Sequence, residues 1–358
     1  MKIGVAAAGT GGHVFPALAV ADGLRQRGFS HDDIVFFGGD RMEATTVPAA
    51  GYPFVGVEIH GIRRSLSKDN VTLPLKVKKA RDVIVERIRT DDVSVMVVFG
   101  GYIAGPAALA ASKAKIPLIV HEANAVPGVA NRMIARRASE MYVAFAPAKQ
   151  KLPSAKVIGS PLRSDIAGFD RDERRGTARR RYGIAADAKV LGVVGGSLGA
   201  SFLNSVVDDL VGSERGFTIL HITGRDHYED IAHRSSDVDD WLPYAFEDDI
   251  ADLYAASDVV MTRGGALTVS EVQATRTPAV VVPLPAGGGY QALNAQDAVA
   301  AGGAIVVEQT TPAQVAAVVR ELVGDDLRIG AMRSAEASVD HKLATTIMVD
   351  TIVEAADA

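Results

Sequence analysis

The sequence predicts an α/β protein made of two domains, each built on a doubly wound parallel sheet. Short apolar runs rich in β-branched residues alternate with longer amphipathic stretches, which is the pattern of successive strand–helix units. The alternation pauses once, in an arginine-rich segment, and then starts again. The length of 358 residues also exceeds that of a typical single domain, about 100–150 residues.

Five apolar runs in the first half of the chain are predicted to be buried parallel strands. Each run is short and continuous, which indicates a strand that is covered on both faces of its sheet. The runs are residues 2–7, 34–37, 93–99, 117–121 and 141–144. The stretches between them are predicted helices.

The second half repeats this pattern after a polar segment at residues 169–182. The segment is dense in arginine and is predicted to form a solvated helix between the domains. A Gly-Ser-Pro turn at residues 159–161 marks the boundary. The predicted domains are residues 1–160 and 161–358, and the final helix, residues 343–358, is compatible with either one. The predicted strands of the second half are residues 189–194, 218–222, 259–261, 279–282 and 304–307.

The composition is that of an ordinary globular protein, with 48% hydrophobic and 23% charged residues. There are no cysteines, which excludes disulfides, thiolate metal sites and cysteine nucleophiles. The formal net charge of −5 gives no reason to expect nucleic acid as a partner. We see no signal-peptide pattern and no run of the about 20 apolar residues that a membrane span needs. Any membrane contact is therefore expected to be peripheral.

A glycine-rich loop at residues 8–13, Ala-Gly-Thr-Gly-Gly-His, follows the first predicted strand and precedes a helix. The first turn of a helix has unpaired N–H groups at the positive end of the helix dipole, so this junction predicts a site for a phosphate or an oxyanion. The dinucleotide motif G-x-G-x-x-G is not completed, because Val14 occupies its last glycine position. The Gly-Lys-Ser/Thr of a P-loop does not follow either.

Three further glycine-rich loops stand at equivalent positions, at residues 99–106, 195–200 and 263–271. Any one of them alone is equally well explained as a tight turn. Together, four loops at the carboxyl edges of two sheets favour ligand binding, because open α/β sheets bind ligands at those edges. The expected site is a cleft between two facing domains.

Several polar side chains follow these loops, and His13, Arg163 and Glu271 each have two interpretations. His13 is either a helix-capping side chain or a proton acceptor. Arg163 either lies on the surface or binds phosphate through its fork of donors. Glu271 either stabilises the first turn of its helix or binds two ribose hydroxyls. Gln291 and Asn294 carry amides that suit sugar hydroxyls.

The run His121-Glu122-Ala123-Asn124 ends a predicted strand with three polar side chains in four residues. Burying these side chains without partners would be costly, so a position at the cleft is favoured. No histidine pair has metal-ligand spacing, and no G-x-S-x-G elbow indicates a serine hydrolase.

Residues 60–89 carry nine Lys or Arg residues and only three acidic ones, an excess of six positive charges in an acidic protein. Interleaved leucine, isoleucine and valine residues give this region an apolar side. It is equally compatible with an anionic membrane surface as a partner and with a solvated helix that has a core face.

The glycine loops, the segment 121–132 and the segment 264–271, taken in order, closely resemble the MurG family of N-acetylglucosamine transferases. The resemblance runs from residue 4 to residue 304 and implies the GT-B fold, with the last helix crossing back onto the first domain. It implies an inverting transfer of GlcNAc, without metal or other cofactor, from UDP-GlcNAc to the 4-hydroxyl of MurNAc in lipid I, which gives lipid II for peptidoglycan. It also implies peripheral attachment to the cytoplasmic face of the bacterial cell membrane, with residues 60–89 on the anionic surface.

The resemblance also implies roles for individual residues. His13 would be the general base, and Tyr102, His121 and Glu122 would shape the acceptor pocket. Glu271 would hold the ribose, and the backbone of Glu247 would meet the uracil. The donor-binding residues would be Thr10, Gly11, Gly12, Asn124, Arg163, Ser197, Glu247, Ala266, Leu267, Thr268, Val269, Ser270, Glu271, Gln291 and Asn294.

The chain departs from the family pattern at Ala123, Ser160, Leu198 and Tyr290, which affects the sugar contacts more than the reaction. Two alternatives remain. One is a related UDP-sugar transferase that acts on another lipid or a soluble acceptor, and the other is a nucleotide-sugar-binding or NAD-binding protein without transferase activity. The broken G-x-G-x-x-G motif disfavours NAD.

Overall fold

The structure is a computed structural model that describes residues 1–59, 73–196, 199–285 and 289–357. The chain folds into two units. Unit 1 consists of Met1–Arg163 together with His341–Ala358, and unit 2 is Ser164–Asp340. Each unit contains one parallel sheet with helices on both faces.

In the described part of unit 1, the sheet has seven strands in the order β3-β2-β1-β4-β5-β6-β7. The central pair is β1 and β4, with Val5 opposite Val97. The strands are β1 (Lys2–Ala7), β2 (Ile34–Gly38), β3 (Phe54–Gly56), β4 (Val93–Gly100), β5 (Leu118–Glu122), β6 (Glu140–Val143) and β7 (Lys156–Val157), and the helices are α1 (Gly11–Gln26), α2 (Glu43–Ala49), α3 (Leu73–Thr90), α4 (Ala104–Ala114), α5 (Val129–Ile134) and α16 (Ala344–Asp357).

In the described part of unit 2, the sheet has six strands in the order β10-β9-β8-β11-β12-β13. The strands are β8 (Val190–Val194), β9 (Thr218–Ile222), β10 (Trp241–Tyr244), β11 (Val259–Thr262), β12 (Ala279–Val281) and β13 (Ala304–Val306). The helices are α6 (Ser164–Ala167), α7 (Arg171–Tyr182), α8 (Ser201–Val211), α9 (Tyr228–Ser235), α10 (Ile250–Ala256), α11 (Ala266–Thr275), α12 (Tyr290–Asn294), α13 (Gln296–Ala301), α14 (Pro312–Val323) and α15 (Asp326–Arg333).

The predicted fold class, an α/β protein with two doubly wound sheets, is confirmed, and all ten predicted strands form. Successive residues of a strand enter different cores: Val97 packs in one hydrophobic cluster of unit 1, and its neighbours Met96 and Val98 pack in the other. Because both faces are covered, the strand sequences are continuously apolar. That continuity is why sequence pattern alone locates these strands.

Three strands were not predicted, and all three lie at sheet edges. β3 and β7 flank the sheet of unit 1, and β10 forms one edge of the sheet of unit 2. β3 has three residues and β7 has two, and neither contains a fully covered side chain. β10 contains Pro243, which cannot donate a ladder hydrogen bond. Short edge strands of this kind lack the apolar run on which the prediction depends.

The prediction that α7 is a solvated helix is wrong. The helix packs against α10, and its arginines form ion pairs with the acidic segment that follows β10. Arg174 contacts Asp249 and Asp252 at 2.6 and 2.7 Å. Three other arginines share a single carboxylate, that of Asp258, at 2.8–3.1 Å; they are Arg171, Arg175 and Arg179.

Helix α16 belongs to unit 1 and packs on α1. Its buried side chains Met348, Val349 and Ile352 lie in the same hydrophobic cluster as the apolar residues of α1. The two helices approach closely at Gly23, where a Cβ atom would lie 2.8 Å from a methyl carbon of Val349. The end of the chain therefore completes the fold of its beginning.

Candidate active site

The first glycine loop connects β1 to α1 and presents donors at the start of the helix. Thr10 is the N-cap residue, with an extended backbone, and α1 begins at Gly11. The N–H groups of His13 and Val14 donate to the carbonyl oxygen of Thr10 at 3.0 and 3.2 Å. The N–H groups of Gly11 and Gly12 precede the first intrahelical bond, so the helix itself does not supply their acceptors.

The second glycine loop, after β4, packs directly against the first. Gly101 has φ +78°, and a Cβ atom there would lie 2.1 Å from the carbonyl oxygen of Ala8. Gly100 has φ +108°, and a Cβ atom there would lie 3.1 Å from Nε2 of His13. Only glycine fits at both positions. The structure therefore brings His13 and the second loop together, as neighbouring strand ends predict.

His13 is held as a neutral imidazole with one nitrogen fixed. Its Nδ1 lies 3.1 Å from the carbonyl oxygen of Ala8. Burial lowers the pKa of His13 below its ordinary value, and the negative charges of Glu122 and Glu43 offset only part of this effect. Because a carbonyl oxygen only accepts, Nδ1 carries the proton. Nε2 then has the free lone pair that a general base needs.

The carboxylate of Glu122, at the end of β5, is buried and fully bonded. Oε1 accepts from the backbone N–H of Asn124 at 2.8 Å and from its side-chain amide at 3.3 Å. Oε2 accepts from the N–H of Gly128 at 2.9 Å and from the amide of Asn131 at 3.0 Å. Glu122 therefore organises the loop that carries Asn124, and any effect on an acceptor would pass through that loop.

His121 is also buried, and its ring forms a hydrogen bond with a backbone group. Its Nε2 donates to the carbonyl oxygen of Gly159 at 2.9 Å. Burial lowers the pKa of His121 to about 4, so the ring is neutral. The next residue, Ser160, donates its N–H to Nδ1 of His341 at 2.9 Å. These bonds fix the turn before Arg163, the half-buried residue that ends the first segment of unit 1.

A residue that the sequence reasoning missed, Glu43, anchors the first glycine loop. Its fully buried carboxylate accepts from the N–H groups of Gly9 and Gly39 at 3.1 and 3.0 Å and from the hydroxyl of Tyr102 at 2.5 Å. The sequence carries a signal for this residue. Strand β2 ends at Gly38, Gly39 follows it to form a further glycine turn on the same sheet edge, and Glu43 begins the next helix.

In unit 2, the third glycine loop is described only in part, because Ser197 and Leu198 lie outside the described residues. Gly199 has φ +73°, and a Cβ atom there would lie 2.5 Å from the carbonyl oxygen of Thr223. The same carbonyl oxygen accepts from the side-chain amide of Asn204 at 3.2 Å. The loop and the start of α8 are thus both tied to the end of β9.

Helix α11 begins directly after the fourth glycine loop, with Gly265 as its N-cap residue. Val269 already donates its N–H to the carbonyl oxygen of Gly265 at 2.9 Å. The hydroxyl of Ser270 donates to the carbonyl oxygen of Ala266, also at 2.9 Å. The donors that remain for a ligand are therefore the backbone N–H groups at the first three helical positions. These belong to Ala266, Leu267 and Thr268.

The predicted sugar-binding amides pack against the fourth glycine loop. A Cβ atom on Gly264 would lie 2.3 Å from the carbonyl oxygen of Gln291. Asn294 is fully buried, and its amide donates to the carbonyl oxygen of Gly264 at 2.9 Å. Oε1 of Gln291 accepts from the N–H of Leu284 at 2.8 Å. Both side chains lie at the predicted sheet edge, and in this structure they hold the loops.

Two carboxylates of unit 2 are held by tyrosine hydroxyls. Glu271 accepts from Tyr254 on α10 at 2.8 Å. Glu247 accepts from Tyr182 at 2.7 Å, and its other oxygen accepts from Arg181 and from the N–H of Asp249, both at 2.8 Å. Both carboxylate oxygens of Glu247 are therefore occupied, and its backbone contact with a base stays a prediction.

Two families of domains match the chain. The glycosyltransferase family 28 N-terminal domain matches residues 3–143, and the glycosyltransferase family 28 C-terminal domain matches residues 190–347. A protein of Rhodococcus erythropolis named UDP-N-acetylglucosamine–N-acetylmuramyl-(pentapeptide) pyrophosphoryl-undecaprenol N-acetylglucosamine transferase is 38% identical, over 99% of this chain and 95% of its own length. The protein of the same name in Streptomyces coelicolor is 36% identical, over 99% of this chain and 98% of its own.

Solved structures agree with this similarity. The crystal structure of Acinetobacter baumannii MurG matches with a TM-score of 0.73 and 28% identity, over 99% of this chain and 100% of its own. A UDP-GlcNAc 2-epimerase of Neisseria meningitidis, solved with UDP-GlcNAc bound, matches with a TM-score of 0.67 over 99% of this chain and 100% of its own, at 13% identity. The second similarity concerns the fold alone.

Proposed function

The chain belongs to glycosyltransferase family 28, and from this premise we propose that it transfers N-acetylglucosamine from UDP-GlcNAc to the 4-hydroxyl of MurNAc in lipid I, giving lipid II. Relatives that are named for N-acetylglucosamine transfer to the N-acetylmuramyl-(pentapeptide) pyrophosphoryl-undecaprenol acceptor share 36–39% identity with it over nearly its whole length. The chain is thus an N-acetylglucosaminyltransferase of peptidoglycan synthesis.

The observation that carries the chemistry is the geometry of His13. Its Nδ1–H is held by the Ala8 carbonyl oxygen, so Nε2 is the basic nitrogen. In the proposed step, the 4-hydroxyl oxygen of the acceptor attacks C1 of GlcNAc while Nε2 takes the hydroxyl proton. The bond from C1 to the UDP oxygen breaks on the opposite face, which inverts the anomeric configuration. The imidazolium then returns its proton to water.

The leaving UDP gains negative charge as the bond breaks, and the proposal needs donors that stabilise this charge. We assign this role to the N–H groups of Ala266, Leu267 and Thr268 at the start of α11, together with the third glycine loop. We assign the ribose hydroxyls to Glu271, one turn further along. In this assignment unit 2 binds the donor and unit 1 provides the base and the acceptor site.

Helix α3 supports attachment to a membrane surface. Its exposed apolar side chains include Leu75, 64% exposed, and Val83, 44% exposed. Lys78 and Lys79 are exposed on the same helix, and residues 60–72 of the predicted basic region lie outside the described residues. No helix in the described ranges is long and apolar enough to cross a bilayer. We propose peripheral binding to an anionic membrane at its cytoplasmic face.

The test is release of UDP from UDP-GlcNAc with and without a short-chain lipid I analogue, with UDP-GalNAc as the control donor. We expect release that requires both the lipid I analogue and UDP-GlcNAc, with the disaccharide product seen by mass spectrometry. Binding of UDP-GlcNAc without release would contradict the proposed acceptor and leave the donor assignment standing.

A further inference from the structure

We propose that Glu43 is a positioning residue for the transfer reaction, whose carboxylate fixes the first glycine loop and Tyr102 and thereby sets the place of His13. This inference rests on the proposed function of His13. It adds a residue from α2, an element that neither the sequence motifs nor the family resemblance placed in the site.

Three donors converge on this one carboxylate. Oε2 accepts from the N–H of Gly9, and Oε1 accepts from the N–H of Gly39 and from the hydroxyl of Tyr102. The donors come from the loops after β1, β2 and β4, three neighbouring strands of the sheet. Glu43 is therefore the point at which the three loop ends are joined.

The carboxylate is ionised although it is fully buried. Burial raises the pKa of Glu43, but the hydrogen bonds from the Tyr102 hydroxyl and from the N–H groups of Gly9 and Gly39 outweigh that effect and lower it. A buried carboxylate held by three donors is costly to disturb, since removal of its charge or of one oxygen leaves donors without an acceptor.

The surrounding glycines show how closely the network is packed. A Cβ atom on Gly39 would lie 2.2 Å from the hydroxyl oxygen of Tyr102, and one on Gly38 would lie 2.7 Å from Cγ of Glu43. Gly9 adopts φ +103° beside the ring of Tyr102. Because the N–H of Gly9 is donated to Glu43, that part of the loop is held against the carboxylate.

Glu43 also acts on His13 through its charge. Among the residues that the structure describes, the titratable groups that interact electrostatically with His13 are Glu43 from α2 and, from β5, Glu122 and His121. Burial lowers the pKa of His13, and the two carboxylates raise it. Loss of the Glu43 charge would lower that pKa further, so His13 would stay neutral to lower pH but would be a weaker base.

The experiment compares Glu43→Gln and Tyr102→Phe with a matched pair elsewhere in unit 1, Asp22→Asn and Tyr52→Phe. The hydroxyl of Tyr52 donates to Asp22 at 2.5 Å, which repeats the tyrosine–carboxylate bond away from the glycine loops. Lipid I-dependent UDP release is measured from pH 5 to 9, with KM for UDP-GlcNAc and the thermal midpoint of each variant.

We expect Glu43→Gln to lower kcat by about 10- to 100-fold, because one backbone donor loses its acceptor and the loop that carries His13 shifts. KM for UDP-GlcNAc should stay within about twofold, and the acid limb of the kcat profile should move to lower pH. Tyr102→Phe keeps the charge, so it should lower kcat less and leave the acid limb in place. The Asp22 and Tyr52 variants should keep wild-type kinetics.

The inference is overturned if Glu43→Gln lowers kcat with an unmoved acid limb, or if it raises KM for the donor and leaves kcat unchanged. If Glu43→Gln does not fold, Tyr102→Phe decides, and wild-type kcat in that variant overturns the inference. Failure of the proposed function is a separate result, since the wild-type protein would then show no lipid I-dependent release at all.

Discussion

At the scale of single residues, the decisive feature is that Nδ1 of His13 is bonded to the Ala8 carbonyl oxygen, which leaves Nε2 as the basic nitrogen. We predict that His13→Ala lowers kcat by about 10²- to 10⁴-fold, the usual contribution of a general base. Affinity for UDP-GlcNAc, measured by calorimetry, should change little because the nucleotide is assigned to unit 2. A variant with near-normal kcat would remove His13 as the base.

The pH dependence of the wild-type protein follows from the same residue. Burial lowers the pKa of His13 from its ordinary value, about 6.5, so the neutral form persists above that lowered pKa. Activity should therefore be constant through neutral pH and fall only as the pH drops through the lowered pKa. Rate profiles in overlapping buffers check this, and an acid limb at or above pH 7 would contradict it.

We expect replacement by alanine to have opposite effects on stability at Gly101 and at Gly105. Gly101→Ala forces φ +78° on alanine and puts a methyl group 2.1 Å from the Ala8 carbonyl oxygen, so we predict a loss of stability of at least about 1–3 kcal/mol. Gly105→Ala, inside α4 with open space around its Cβ position, should be neutral or stabilise by up to about 1 kcal/mol. Urea titrations of the two variants distinguish them, and equal midpoints would refute the argument.

At the scale of elements, α7 is held in unit 2 by ion pairs in addition to its buried Ala178 and Tyr182. Asp258 accepts from three arginines of α7 and from the N–H of Val190 at 3.0 Å. We predict that Asp258→Ala destabilises unit 2 by about 3–5 kcal/mol, because it leaves partly buried guanidinium groups unpaired. The exposed pair of Arg234 with Asp230 is the control, and Asp230→Ala should cost about 0–1 kcal/mol.

The elements also show where sequence reasoning succeeds and where it stops. Central strands were found because burial on both faces makes them continuously apolar, whereas the edge strand β10, with Pro243, has no such run. The arginines of α7 and the acids near Asp258 were each visible in sequence, but their pairing depends on packing between elements far apart in the chain. The glycine turn before Glu43 was visible in the sequence, but the convergence on its carboxylate was not, since its three donors belong to three different loops.

At the scale of the whole molecule, the return of α16 to unit 1 divides that unit between two parts of the chain. Ile352 is fully buried in the cluster shared with α1, whereas Ile347 is 36% exposed. We predict that Ile352→Ala destabilises unit 1 by about 2–5 kcal/mol, while Ile347→Ala, the matched control, has little effect.

The single tryptophan gives this prediction its readout. Trp241 lies in unit 2, so its fluorescence follows the unfolding of unit 2, while far-ultraviolet circular dichroism follows both units. With Ile352→Ala, part of the dichroism change should occur under milder unfolding conditions, and the midpoint of the fluorescence change should stay the same. A shift of both signals by the same amount would contradict separate unfolding of the units.

The place of α16 also determines the order in which the protein can finish folding as it leaves the ribosome. Residues 1–163 emerge first, but the apolar face of α1 that receives Met348, Val349 and Ile352 has no cover until residues 341–358 have been made. Unit 2, residues 164–340, has its whole core within one uninterrupted stretch. The half of the protein that is synthesised first is therefore the half that is completed last, and until then its uncovered apolar face is the surface that a chaperone would meet.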